Sequence, residues 1–144
     1  MLLFILVLGL AGTGTELVLL QHYEDGWQLV PLFLIALALL TLLWHALARD
    51  PASVRAIQAV MALFLVSGIA GVWFHHQANS EFELELDPSL AGLQLFKESM
   101  SGATPVLAPG TMIELGLIGL VYTYRHPRLS AANTTEVRRH EWDA

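Results

Sequence analysis

Three ionisable residues interrupt otherwise apolar stretches of this chain. Glu16 lies in "GTGTELVLL", Glu114 in "PGTMIELGLIGLVY", and His75 closes "GIAGVWFHH" beside His76. Carboxylates and imidazoles projecting from separate helices are the donors that hold divalent or transition metals in a bundle core. The same groups can join helices by hydrogen bonds or form part of a proton or cation path. The sequence has no cysteine, so thiolate metal sites, thiol catalysis and disulfides are excluded. Any metal must be held by His and carboxylate, and the candidate ligands are Glu16, His75 and Glu114, with His22 and His76 near the rim beside Asn79.

Two features narrow this chemistry. No helix carries an E-x-x-H pair, which argues against a di-iron site, and the second apolar run has no acid or base at its middle to continue a conduction path. A purely structural role stays open beside metal binding, since burial raises a carboxyl pKa and a protonated Glu can clamp two helices. No Gly-rich phosphate loop, nucleophile elbow or H-E-x-x-H motif is present, so nothing demands an enzyme or any cofactor beyond that ion.

The elements that would position these groups are read from composition and periodicity. Of 144 residues 55% are hydrophobic and 14% charged, with a mean hydropathy of +0.57, which is the balance of a membrane chain. Four runs have the length to cross a hydrocarbon core, roughly Leu2 to His22, Leu29 to Ala48, Ala56 to His76 and Val106 to Tyr124. The first has no basic segment ahead of it and stays apolar past Glu16, so it is expected to be a retained anchor rather than a signal peptide. The expected fold is an all-α integral membrane bundle of four transmembrane helices over 1–124, followed by a polar cytoplasmic tail at 125–144.

Charge sets the expected orientation. Arg49 and Arg55 flank the second connection and Arg125, Arg128, Arg138 and Arg139 follow the fourth run, whereas "YEDGWQ" and the long third connection are acidic. Basic loops stay cytoplasmic, so both termini are expected inside, in a bacterial inner membrane. A net charge of −6 argues against a nucleic-acid partner. The trans-side loop, about 77–105, is too long for a bare turn. In it "SEFELELD" alternates as an extended segment would, and Asp87 and Pro88 read as the N-cap and first residue of a short interfacial helix.

Glycines suggest how the helices pack. "GLAG" at 9–12 and "GIAG" at 68–71 each precede a titratable group by four residues, placing Gly9, Gly12 and Glu16 on one stripe and Gly68, Gly71 and His75 on another. Small residues admit close helix approach in a membrane, so both stripes are expected to be seams with their polar groups facing inward. Counting from the run ends puts Glu16 and Glu114 at matching depth, and Gly119, outside these repeats, is expected to tolerate a larger side chain. His45 and His126, near helix ends beside Trp44 and Tyr124, read as interfacial anchors rather than haem ligands. The expected role is a non-catalytic subunit or accessory factor of a membrane complex, contacting lipid and other subunits or a second copy; the alternative is metal binding or delivery.

Overall fold

A computed structural model describes residues 1–102 and 104–129. The expected tail falls largely outside these, including Arg138 and Arg139. Among the described residues the helices run in order: α1 Leu2–Leu19, α2 Leu29–Ala48, α3 Pro51–Leu86, α4 Gly92–Met100 and α5 Gly110–Thr123. No strand occurs among the described residues. Helices α1, α2 and α3 are long and apolar enough to cross a membrane. At 14 residues, α5 rises about 21 Å, short of a hydrocarbon core of about 30 Å. The expected fourth span therefore shortens: Pro105 and Pro109 hold 105–110 in successive tight turns, with Ala108 N bonded to Pro105 O and Gly110 N to Leu107 O, and α5 starts only at Gly110.

The α2–α3 hairpin turns on two residues. Arg49 adopts a left-handed conformation, and Asp50 caps α3 by accepting the Ser53 N–H at 2.7 Å, ahead of Pro51 in the first turn. Helix α3 then runs unbroken for 36 residues. This corrects the extended segment expected at "SEFELELD", which is helical as far as Leu86. Glu and Leu are strong helix formers, the Gln77 amide reaches Glu81 one turn on at 3.2 Å, and α4 folds back onto this stretch. The alternation of Glu with apolar residues was the weaker signal. Asp87 ends α3 instead of starting α4, and its carboxylate accepts from the Ser89 N–H and hydroxyl. Those two bonds hold the Asp87 carboxyl below the usual range.

Packing is built around glycine. A Cβ on Gly68 would fall 2.6 Å from Ile113 Cγ1 and 3.0 Å from Pro109 O, and one on Gly71 would fall 2.6 Å from Pro109 Cβ. From the other side, a Cβ on Gly116 would fall 2.9 Å from the Met61 carbonyl oxygen, and one on Gly119 would run into Met61 Sδ. The two helices are antiparallel and each receives the other's large side chains in its own glycine pair. "GLIG" at 116–119 is thus a third copy of the repeat, and the expected tolerance at Gly119 is overturned. Leu6 and Gly9 of α1 meet Gly119 and Leu115 of α5, while Gly14 of α1 meets Ile35 of α2. The enclosed core holds Leu6, Leu10, Ala38, Ile57, Met61 and Phe64.

Candidate functional site

Of the expected ligands, the structure brings His22 and His75 together. His75 Nδ1 lies 3.0 Å from the Pro105 carbonyl, an acceptor only, so Nδ1 carries the proton and Nε2 keeps its lone pair. The half-buried His22 ring stands 6.5 Å from that of His75, centroid to centroid, at a 56° tilt. Burial, and then the neighbouring His75, hold the His22 pKa below its ordinary value. Trp27, from the α1–α2 connection, rests on Phe74 5.9 Å away.

His76 points elsewhere. Its ring packs on Phe96 of α4 at 5.6 Å, and its Nε2 is buried without a hydrogen-bond partner. Asn79, 2% exposed, pins the following loop: its amide donates to Ser99 O at 2.9 Å and Thr104 O at 2.7 Å, and its carbonyl accepts the Thr104 N–H at 3.0 Å. This anchorage holds α4 against α3 and carries the chain back to Pro105, whose carbonyl orients His75.

Glu16 and Glu114 do not join this group. Both side chains are exposed on the surface of the chain, which corrects the inward orientation expected from the glycine stripes. Helical periodicity puts Glu114 on the side of α5 opposite Gly116 and α3, and Glu16 on the side of α1 opposite Gly14 and α2. Both therefore lie on the outer face of the α1–α5 pair, beside Gly12, which has nothing within 4 Å of an added Cβ. Their depths differ as well. With Leu6 opposite Gly119 and Gly9 opposite Leu115, Glu114 lies level with Leu10, so Glu16 stands six residues, about 9 Å, further along. Among the described residues no three His, Asp or Glu side chains are grouped closely enough to hold one ion.

A second histidine site lies at the opposite end of the bundle. His45, expected to anchor at an interface, is only 7% exposed. The Ser53 hydroxyl donates to Asp50 O at 2.7 Å, so it accepts at 2.9 Å from His45 Nδ1–H; Nε2 then accepts from the Tyr122 hydroxyl at 3.2 Å. Every polar atom of this neutral imidazole is satisfied. The His126 ring meets it edge-on at 5.3 Å, and His126 Nδ1 accepts the Arg128 N–H at 3.4 Å. A signal for this site was present in α2: Leu34, Ala38, Thr41 and His45 recur at helical spacing on its buried face, so His45 shares the stripe of core residues.

Comparison of the chain with protein-family models, curated proteins and solved structures finds no match.

Proposed function

We propose that this protein is a non-catalytic subunit or accessory factor of a larger membrane complex, seated in a bacterial inner membrane with both termini cytoplasmic. The observation that carries the reading is the pair of carboxylates, Glu16 and Glu114, exposed on the outer face of α1 and α5. An acidic residue facing hydrocarbon costs about 2.5–3.5 kcal/mol near the centre of a span, so such residues normally face protein or water. Among the described residues no side chain hydrogen-bonds to either. A neighbouring membrane chain, another protein or a second copy, would cover them, and the open surface at Gly12 admits a close-packed helix. The orientation rests on charge: Arg49, Arg55, Arg125 and Arg128 cluster at the His45 end, and Glu81, Glu83, Glu85 and Asp87 project at the other.

The test is native purification in mild detergent of the wild type and of Glu16→Leu and Glu114→Leu. The expected result is a wild-type assembly larger than one chain that both variants release, with the freed chain melting at or above the wild-type temperature because an apolar residue suits lipid better. A wild type that runs as a single chain, with its host membrane function unchanged by either substitution, would overturn the proposal.

A further inference from the structure

We propose that His22 and His75 form a two-imidazole site for a monovalent d¹⁰ metal ion, Cu(I), at the α4 end of the bundle. The site is independent of the subunit role. His75 has the arrangement common to metal-bound histidines, in which one ring N–H is fixed on a backbone carbonyl and the other nitrogen presents its lone pair. Here the carbonyl is that of Pro105, held by the Asn79 contacts to Thr104 on the preceding residue. Among the described residues the His22 side chain makes no hydrogen bond, so its ring nitrogens are uncommitted beside His75.

Distance selects the class of ion. With a metal–nitrogen bond of about 2 Å, two imidazole centroids stand about 6 Å apart when the ion lies in line between them, and about 5 Å apart at a tetrahedral angle. The observed 6.5 Å needs a side-chain adjustment of about half an ångström for the linear case and about three times that for the tetrahedral one. A linear pair also leaves the ring planes free to rotate about the bond axis, so the 56° tilt is accommodated.

The donor set agrees. Zinc in structural sites takes four ligands and calcium or magnesium takes oxygen donors, yet no third His, Asp or Glu among the described residues joins this pair, and the sequence offers no thiolate. A d¹⁰ monovalent ion is content with two neutral nitrogens. Its single charge is also less costly than a double one between two partly buried rings. Glu24 and Asp25 in the α1–α2 connection, and the acidic tip of α3, give this end a negative potential that draws cations. Cu(I) enters and leaves as such, with no electron transferred.

The experiment is an anaerobic titration of the full chain, purified without a polyhistidine tag, with Cu(I) against a colorimetric Cu(I) chelator. One ion per chain is expected in the wild type, Glu16→Gln and His76→Ala, and at least a tenfold loss of affinity in His22→Ala and in His75→Ala. Helix content and melting of each variant are measured alongside, and X-ray absorption on the Cu(I)-loaded wild type is expected to report two nitrogen neighbours. Absence of Cu(I) binding by the folded wild type, undiminished binding in both folded histidine variants, or a first shell of three or more ligands would each overturn the proposal, the last even if the variants fail to fold. Preferential retention of Zn(II) at equal concentration would do the same.

Discussion

The two ends of the bundle treat their histidines in opposite ways. At the arginine-rich end His45 is enclosed and its two ring nitrogens are consumed by Ser53 and Tyr122. At the acidic end His75 spends one nitrogen on Pro105 and keeps the other, with His22 half-buried beside it. A histidine whose hydrogen bonds are complete specifies packing, since removing any partner leaves a buried polar atom. One with a free lone pair at a half-buried rim is available for chemistry. The contrast separates a fully bonded imidazole from one with a ring nitrogen uncommitted, on grounds of satisfaction rather than of residue type.

The glycine seam that joins the two ends sets the energy scale. Gly68→Leu should be the most damaging change, since an added Cβ would lie 3.0 Å from backbone atoms of both Pro109 and Ile113, and Gly119→Leu should follow closely because its side chain would run into the buried but flexible Met61. Overpacking of this kind costs about 1–3 kcal/mol or more, whereas Gly12→Leu, in open space, should leave the melting temperature of the monomer unchanged. Equal melting of Gly119→Leu and Gly12→Leu variants in detergent would remove the seam.

Next in size is Asn79→Ala, which deletes three bonds to the loop. Leaving Ser99 O and Thr104 O unpaired should cost about 2 kcal/mol, at about 1 kcal/mol per group. Limited proteolysis between α4 and α5 should accelerate in the variant. Because this loop orients His75 through Pro105, an unaltered cleavage rate would separate the loop from the site.

His45→Ala sharpens the comparison directly. It should destabilise by about 1–3 kcal/mol through the cavity and the unpaired Ser53 and Tyr122 hydroxyls, and Tyr122→Phe should cost less, about 1 kcal/mol. His22→Ala should change stability little at neutral pH. If the His22 variant melted lower than the His45 variant, the assignment of structural and free imidazoles would be reversed.

The smallest effect is a pH dependence. The folded-state pKa of His22 lies below its ordinary 6.5, so the unfolded chain binds the proton first as pH falls. The contribution of His22 is full above pH 6.5 and is lost as pH drops from there through the depressed folded value. The wild type should therefore lose slightly more stability than His22→Gln on acidification below that point. Parallel pH–melting curves for the two proteins would contradict it.

The spans were legible because hydropathy and length are strong signals over 20 residues: α2 ends where composition placed it, at Leu29 and Ala48. The failures were local contests between two weak signals. Alternating Glu and Leu at 83–86 suggested an extended segment, yet helix propensity and the docked α4 prevailed. Asp87 had the composition of an N-cap, but its carboxylate serves Ser89 in the turn after α3. At the site, the glycine stripes and counted depths suggest that Glu16, His75 and Glu114 converge, whereas Glu16 and Glu114 are exposed and do not group with His75. Gly9, Gly12 and Glu16 share a stripe as expected, but only Gly9 meets α5, at Leu115, while Gly12 and Glu16 are left open because Leu6 and Leu10 take α1 into the core. Periodicity fixes which residues share a face and not which face meets a neighbour.

Helix α3 has a mechanical consequence. Its 36 residues make a rod of about 54 Å, nearly twice the thickness of a hydrocarbon core of about 30 Å, with no proline after the first turn to act as a joint. A long helix answers a change in bilayer thickness by tilting, and an unbroken one carries that tilt undiminished beyond the lipid. Helix α4 is fastened to α3 through Asn79 and Ser80, so in a bilayer it would follow any tilt of that part of the rod.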